Sequence, residues 1–264
     1  MKAVSLIFSL VLAGQPLLAQ PVQDQMATSE VIYLGETHDN PVHHQRQADY
    51  VARYKPRALV FEMLTPDQAQ MAVGSVRGDQ ASLEAALGWA DTGWPGFAMY
   101  YPIFAAAPNA VIYGAAVPRE ATREAMKSGI SDWFGPEAEA YGLTTPLSED
   151  QQEQREALQE EAHCNALPDE MLPVMVDVQR LRDAVIARAV LQAVDETGGP
   201  VMVITGNGHA RKDWGAPAVV AHVRPEVSQF VVGQTEDDET ADPSYDITLS
   251  APAAPREDPC KAFR

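Results

Sequence analysis

The sequence predicts an α/β fold: a parallel-sheet core with flanking helices and a helical lid or subdomain. Three observations carry this expectation. EVIYL (30–34) and RALVFEM (57–63) are short apolar runs with a helical stretch between them. Strand, helix and strand in so short a span make a βαβ unit, which requires parallel pairing. VMVITG (201–206) repeats the pattern of an apolar run that ends in glycine and a polar turn. Hydrophobic residues make up 46% of the 264, enough for one large core.

The elements follow in order. MKAVSLIFSLVLAGQPLLAQ places Lys2 ahead of a nearly unbroken apolar run and reads as a secretory signal peptide over 1–19, cut near Ala19. Asp39 or Asn40 caps a helix from Pro41 to about Tyr54, with proline at its first position and Lys55-Pro56 as its stop. Small helices are expected at 65–71 and at 82–88, the second capped by Ser82. The aromatic-rich stretch 91–108 turns helical at Phe97. A strand at 110–118 feeds a helix at 119–127, and 131–146 reads as irregular. A polar helix (148–163) and a longer one from Asp169 to about Glu196 form the lid or subdomain, about 147–197. AVVAHV (218–223), SQFVVG (228–233) and SYDITLS (244–250) read as further strands, and TEDDETADP (235–243) as a solvated loop. One domain is therefore expected over 20–250, with a tail at 251–264.

Lys and Arg number 19 against 37 Asp and Glu, a net charge of −18. That balance disfavours nucleic acid or an anionic membrane as the main partner. Beyond the N-terminus no apolar run is long enough for a transmembrane anchor. No cysteine lies near the cut to accept a lipid, so the expected product is soluble and exported, in the periplasm of a bacterium or a similar space. Cys164 and Cys260 are the two cysteines, and an oxidising space favours a disulfide bond between them that pins the tail.

Three apolar strands end in chemistry-bearing residues: GETHDN, Glu62 and GNGHAR. Ligands of open parallel sheets bind at the carboxyl ends of strands. Glu36, His38, Glu62, His209 and Arg211 are therefore expected in one crevice, unless each is merely a satisfied cap or turn residue. His43 and His44 are adjacent on the first helix, so only one is expected to face inward. His38, His209 and Glu36 are a chemically reasonable donor set for a divalent metal such as zinc, with Glu36 or Glu62 to handle the proton of an attacking water. The spacing is not that of H-E-x-x-H, and no dinucleotide fingerprint, P-loop or G-x-S-x-G elbow occurs. Met171, Met175, Val178, Leu181 and Val185 form a core stripe on the long helix, with Gln179, Arg182 and Asp183 beside it. Trp94, Tyr100 and Tyr101 are aromatic core, or a surface for a large flat ligand.

GETHDNPVHHQ, Glu62 of VFEM, YYPIF, VPRE, AHCNALPDEMLPVMVDVQRLRDAVIARAV and VITGNGHAR together resemble the ChaN-like haem-binding family, within the superfamily of the Tiki and TraB proteins. The resemblance spans roughly 30–233. It implies a parallel-sheet core with helical subdomains. It also implies haem or iron uptake in a bacterial envelope, haem held in part by tyrosine, and in some members a homodimer around haem. Tyr100 is the first choice of iron ligand, then Tyr101 or Tyr113, with His163, His43 or His44 as the imidazole alternatives. Arg119 or Arg182 would favour the ionised phenol, and Arg211 would meet a propionate. On this reading the protein is a non-enzymatic carrier that hands haem to or from outer-membrane uptake machinery. The best-known members are lipoproteins, and this chain departs from them in lacking the lipid-accepting cysteine. The wider superfamily implies the alternative of a metal-dependent hydrolase, with Glu36, His38, Glu62 and His209 as its site.

Overall fold

The computed structural model describes residues 20–261 apart from Asp238 and Pro259, so the expected signal peptide lies outside the described residues. Six parallel strands form one sheet in the order β3-β2-β4-β1-β5-β6. They are β1 (Val31–Glu36), β2 (Ala58–Phe61), β3 (Val111–Gly114), β4 (Val201–Gly206), β5 (Gln229–Glu236) and β6 (Ile247–Ala251). Both faces are covered, which is why the central strands read as continuous apolar runs rather than alternating ones. Val31, Tyr33, Val60 and Val203 point into one core, and Ile32, Leu34, Leu59, Phe61, Met202 and Ile204 into the other.

The helices are α1 (Gln20–Thr28), α2 (Pro41–Tyr54), α3 (Pro66–Met71), α4 (Gln80–Leu87), α5 (Phe97–Ala106), α6 (Arg119–Ser128), α7 (Ile130–Phe134), α8 (Glu149–Ala162), α9 (Leu172–Thr197) and α10 (Ala216–Val223). α1, α2 and α5 cover one face; Phe104 of α5 stacks on Phe61 with ring centroids 4.3 Å apart. α9 and α10 cover the other through Leu181, Ile186, Val190 and Val220. Asn40 caps α2 by accepting from the Val42 amide, with Pro41 at the first position. Thr65 and Gln68 close a capping box at α3.

Four expectations need correction. α4 starts two residues before Ser82, because the Asp79 carboxylate is the cap and accepts from the Ser82 amide. AVVAHV is not a strand but most of α10, opened by Gly215 and Pro217; a six-residue apolar run fits either period. The irregular stretch 131–146 contains most of α7. The helical pair is divided: α8 has no buried residue, whereas α9 is a core helix with 14 buried residues against the sheet. Cys164, just after α8, is bonded to Cys260, so the tail is tied to the tip of the α8–α9 hairpin. With the cysteines 96 positions apart in sequence, chain entropy assigns the bridge roughly 4–5 kcal/mol.

β1 and β4 are neighbours whose onward connections diverge. From β1 the chain passes over β4 to β2, and from β4 it passes over β1 to β5. α2 makes the first crossing on one face and α10 the second on the other. The carboxyl ends of β1 and β4 therefore flank the switch point of the sheet, where open α/β folds place ligands.

Candidate acid–base site and cleft

Both strands at the switch point end in G-x-x-H, and the two turns interlock. A Cβ on Gly35 would lie 2.4 Å from Asn207 Oδ1, and one on Gly206 would lie 2.9 Å from His38 Nε2. Each glycine thus makes room for a polar side chain of the other turn. Asn207 then behaves as a strand residue: its Nδ2 donates to the Gln234 carbonyl (2.6 Å) and its Oδ1 accepts from the Gln234 amide (3.0 Å).

The first turn builds a carboxylate–imidazole pair. Glu36 is buried at the end of β1. His38 Nδ1 donates to its Oε1 (2.7 Å), as does the Tyr100 hydroxyl (2.9 Å), and Gln47 Nε2 donates to its Oε2 (2.8 Å). His38 tilts against Trp94 with ring centroids 4.8 Å apart, and its side chain keeps 33% of its exposure. Burial opposes charge on this ring. The hydrogen bond that His38 donates to Glu36 and the charges of Glu62, Glu36 and Asp39 outweigh it and raise its pKa to about 9.

The second turn builds the same pair from a remote carboxylate. His209 Nδ1 donates to Asp183 Oδ1 of α9 at 2.6 Å. Burial again opposes the imidazolium, and Glu62 and Asp183 overcome it, so His209 titrates above its ordinary value. Burial holds Asp183 above the usual carboxylate range.

Glu62 sits between the two pairs, where β2 ends. Its Oε2 accepts from the Thr205 hydroxyl and the Gly206 amide, each at 2.7 Å. Its Oε1 lies 3.7 Å from His209 Nε2, and the Gly206 position is shared by His38 Nε2 and Glu62 Oε2. Burial would raise the Glu62 pKa, but His209, His38 and these donors bring it down to about 2. Glu62 also lines a cleft of about 780 Å³ together with Met63, Trp94, Val117 and Pro118, and Arg119 and Arg182 line the same space. Among residues of mixed polarity, these apolar side chains and two guanidinium groups suit a ligand with an apolar body that carries carboxylates.

The crevice gathers Glu36, His38, Glu62 and His209 as the sequence predicts. It does not gather Arg211, which is paired with Asp213 and Asp242 (2.6 Å each) and stacks on Trp214. The metal set of His38, His209 and Glu36 is corrected: among the described residues no three His, Cys, Asp or Glu side chains converge to hold a metal ion. The two histidines turn their Nδ1 atoms to different carboxylates, and both oxygens of Glu36 already accept hydrogen bonds. His43 and His44 are both buried, against the expectation that only one faces inward, because α2 is enclosed on more than one side. His43 Nδ1 accepts from the Thr37 amide, leaving Nε2 to meet the Thr235 carbonyl; burial lowers its pKa and keeps it neutral. His44 Nε2 meets the His38 carbonyl at 2.8 Å.

Tyr100 is fully buried, with its hydroxyl on Glu36. Burial and Glu36 raise its pKa well above that of a free phenol. Tyr113 donates to Glu196 (2.7 Å), and burial and that carboxylate raise its pKa too. Tyr101 is half-buried, 6.1 Å from the Phe97 ring. His163 closes α8, with Nδ1 on the Gln159 carbonyl, at the hairpin tip beside Cys164. Gln47, Thr205, Asn207 and Gln234 were not singled out from sequence. Gln47 falls three residues after His44, the one positional signal that places it near the same carboxylate.

A family model described as haem-binding uptake, Tiki superfamily, ChaN, matches residues 22–220. The chain belongs to that family. A solved structure of similar fold is that of a ChaN of Campylobacter jejuni, described by its cofacial haem binding. The two chains are 19% identical, the match covers 84% of this chain and 86% of that one, and the TM-score is 0.62. The type III effector HopBA1 aligns over 89% of this chain and 92% of its own at 13% identity, with a TM-score of 0.47. A succinoglycan biosynthesis protein aligns over 82% and 68% at 12% identity, with a TM-score of 0.40. No curated protein matches the chain. For this ChaN-family chain, the likeness to the Campylobacter structure agrees with the parallel α/β fold expected from sequence.

Proposed function

We propose that this protein binds haem in an exported compartment and takes part in haem or iron uptake. The family match over residues 22–220 carries the reading. The cleft supports it: Trp94, Val117 and Pro118 offer apolar contact to a macrocycle, and Arg119 and Arg182 offer partners to its propionates. The Cys164–Cys260 bridge supports export, since such bonds persist in oxidising spaces, the bacterial periplasm among them. No described helix is long and apolar enough to cross a membrane.

Tyr101 becomes the preferred iron ligand of the three tyrosines. Tyr100 and Tyr113 each have a carboxylate on the hydroxyl, which disfavours the phenolate that iron requires. Tyr101 does not line the cleft, so a homodimer that brings Tyr101 of one copy to the haem of the other is part of the proposal. Hemin titration should give a saturable Soret change. Arg119→Glu with Arg182→Glu should weaken binding at least tenfold, and Tyr101→Phe should remove the tyrosinate charge-transfer band. Adsorption that never saturates would overturn the reading. Sizing with and without hemin tests the dimer, and loss of binding in a strain lacking outer-membrane haem uptake is not expected of a carrier.

A further inference from the structure

The C-terminal tail has two anchors. After β6 it runs past the turn that follows β1: Asn40 Nδ2 donates to the Pro252 carbonyl (2.9 Å), and the Ala254 amide donates to Glu236 at the end of β5 (3.2 Å). Arg256 then grips both oxygens of Glu236 (2.6 Å each) and Asp39 (2.7 Å), the residue after His38. The second anchor is covalent. Cys260, four positions after Arg256, is bonded to Cys164 at the tip of the α8–α9 hairpin. That length of chain reaches at most about 14 Å, so the tail is a short strap from the β1 turn to the hairpin tip.

The two helices it joins are held unequally. α9 is fixed on the sheet: Asp183 meets His209 after β4 (2.6 Å), and the Thr197 carbonyl accepts from Arg57 Nη1 just before β2 (2.9 Å). From Arg182 back to Leu172 the helix runs on past His209 for about 16 Å. α8 returns along it with no buried residue. Gln151 and Arg155 of α8 close a cavity of about 420 Å³ over Asp183 and Trp214, with the Arg155 guanidinium 5.3 Å from the Trp214 ring centre. Asp183 is bonded to His209, which lies 3.7 Å from Glu62, so this cavity and the cleft that Glu62 lines meet across one buried pair. At the hairpin tip the Cys164 and Asn165 amides donate to the Glu161 and Glu160 carbonyls, bonds that do not reach the tail.

We propose that the Cys164–Cys260 bridge is a redox latch: closed, it straps α8 over the cavity beside Asp183, and opened by a dithiol it frees α8 and the hairpin tip to swing out and admit or release the ligand. The step is thiol–disulfide exchange. One thiolate of the dithiol attacks a bridge sulfur and forms a mixed disulfide, and its second thiol then displaces the remaining protein thiolate. Cys164 and Cys260 end as thiols and the dithiol as a disulfide, so two electrons and two protons pass to the protein. Both cysteines are half-buried, within reach of a small dithiol. α8 is the part that yields, since it adds nothing to the core, while α9 keeps its 14 buried residues on the sheet. The latch rests on the haem reading only for the identity of the ligand.

The test compares three forms of the full chain: oxidised, reduced with dithiothreitol and alkylated with iodoacetamide, and Cys260→Ser. Amide hydrogen exchange should be about tenfold faster or more in α8 and the tail of the two opened forms, and unchanged in α9 and the central strands. Faster exchange throughout would make the bridge a staple of the whole fold, and unchanged exchange in α8 would show that the helix holds without it; either result overturns the proposal. Arg256→Ala with the bridge intact should speed α8 less, because it slackens the strap without cutting it. If Cys260→Ser fails to fold, the alkylated form decides, since it is made from folded protein. Hemin should pass to apomyoglobin about tenfold faster from the opened forms. Equal transfer rates would overturn the gate. A chain that binds no hemin in any form refutes the haem reading alone, and the exchange of α8 still decides the latch.

Discussion

The turns after β1 and β4 share one pattern, Gly-x-x-His, and reach the same pairing by different routes. In the first, the carboxylate lies two residues before the imidazole, inside the motif, and the ring is one-third exposed. In the second, the carboxylate comes from α9, 26 residues earlier, and the ring is sealed, with 9% exposure. A local pair can remain open to solvent, because a hydrogen bond over two residues needs no packing to hold it. A remote pair depends on the core that presses α9 against the sheet. The same chemistry is thus tied to global stability on one side and nearly independent of it on the other.

The largest expected difference follows from that contrast. Asp183→Ala leaves a buried imidazole without its partner and should cost about 3–5 kcal/mol in urea unfolding. His38→Ala leaves the buried Glu36 with Tyr100 and Gln47 as donors and should cost less, about 1–3 kcal/mol. Equal losses would mean that the two pairs are not distinct in their coupling to the core. The next effect comes from the glycines. Gly35→Ala meets Asn207, which is fixed on both sides by Gln234, and should cost about 1–3 kcal/mol. Gly206→Ala meets the end of the His38 ring and should mainly displace that ring from Glu62, with a smaller loss of stability. A crystal structure of Gly206→Ala with His38 unmoved would remove the interlock between the turns.

The smallest effect is on pH dependence. His38 has a folded pKa of about 9, above the free value near 6.5. Its contribution is therefore complete below about pH 6.5 and is lost as pH rises through 9. Glu62 is held at about 2, below its free value near 4.3, so its contribution is present above about pH 4.3 and is lost as pH falls through 2. Melting temperature should be highest between those two ranges, and Glu62→Gln should flatten the acid limb.

What the sequence made legible divides along the same line. Strand ends, the Asn40 cap and the closeness of Glu36 to His38 depend on short-range pattern, and these were readable. The Asp183–His209 pair depends on how α9 is rotated on the sheet, so sequence could place Asp183 beside the core stripe and go no further. Tyr100 was readable as aromatic, but its role is set by the Glu36 carboxylate, 64 residues away, and not by its neighbours. α10 was misread because its apolar run is too short for period to decide.

The central claim is that two imidazoles, each held at Nδ1 by its own carboxylate, face one anionic Glu62. Nitrogen NMR of ¹⁵N-histidine-labelled protein across pH tests it most directly. The claim requires Nδ1 of both rings to stay protonated, His38 to titrate near 9, and both histidines to titrate lower in Glu62→Gln. Ordinary titration of both rings near 6.5, unchanged by Glu62→Gln, would contradict it.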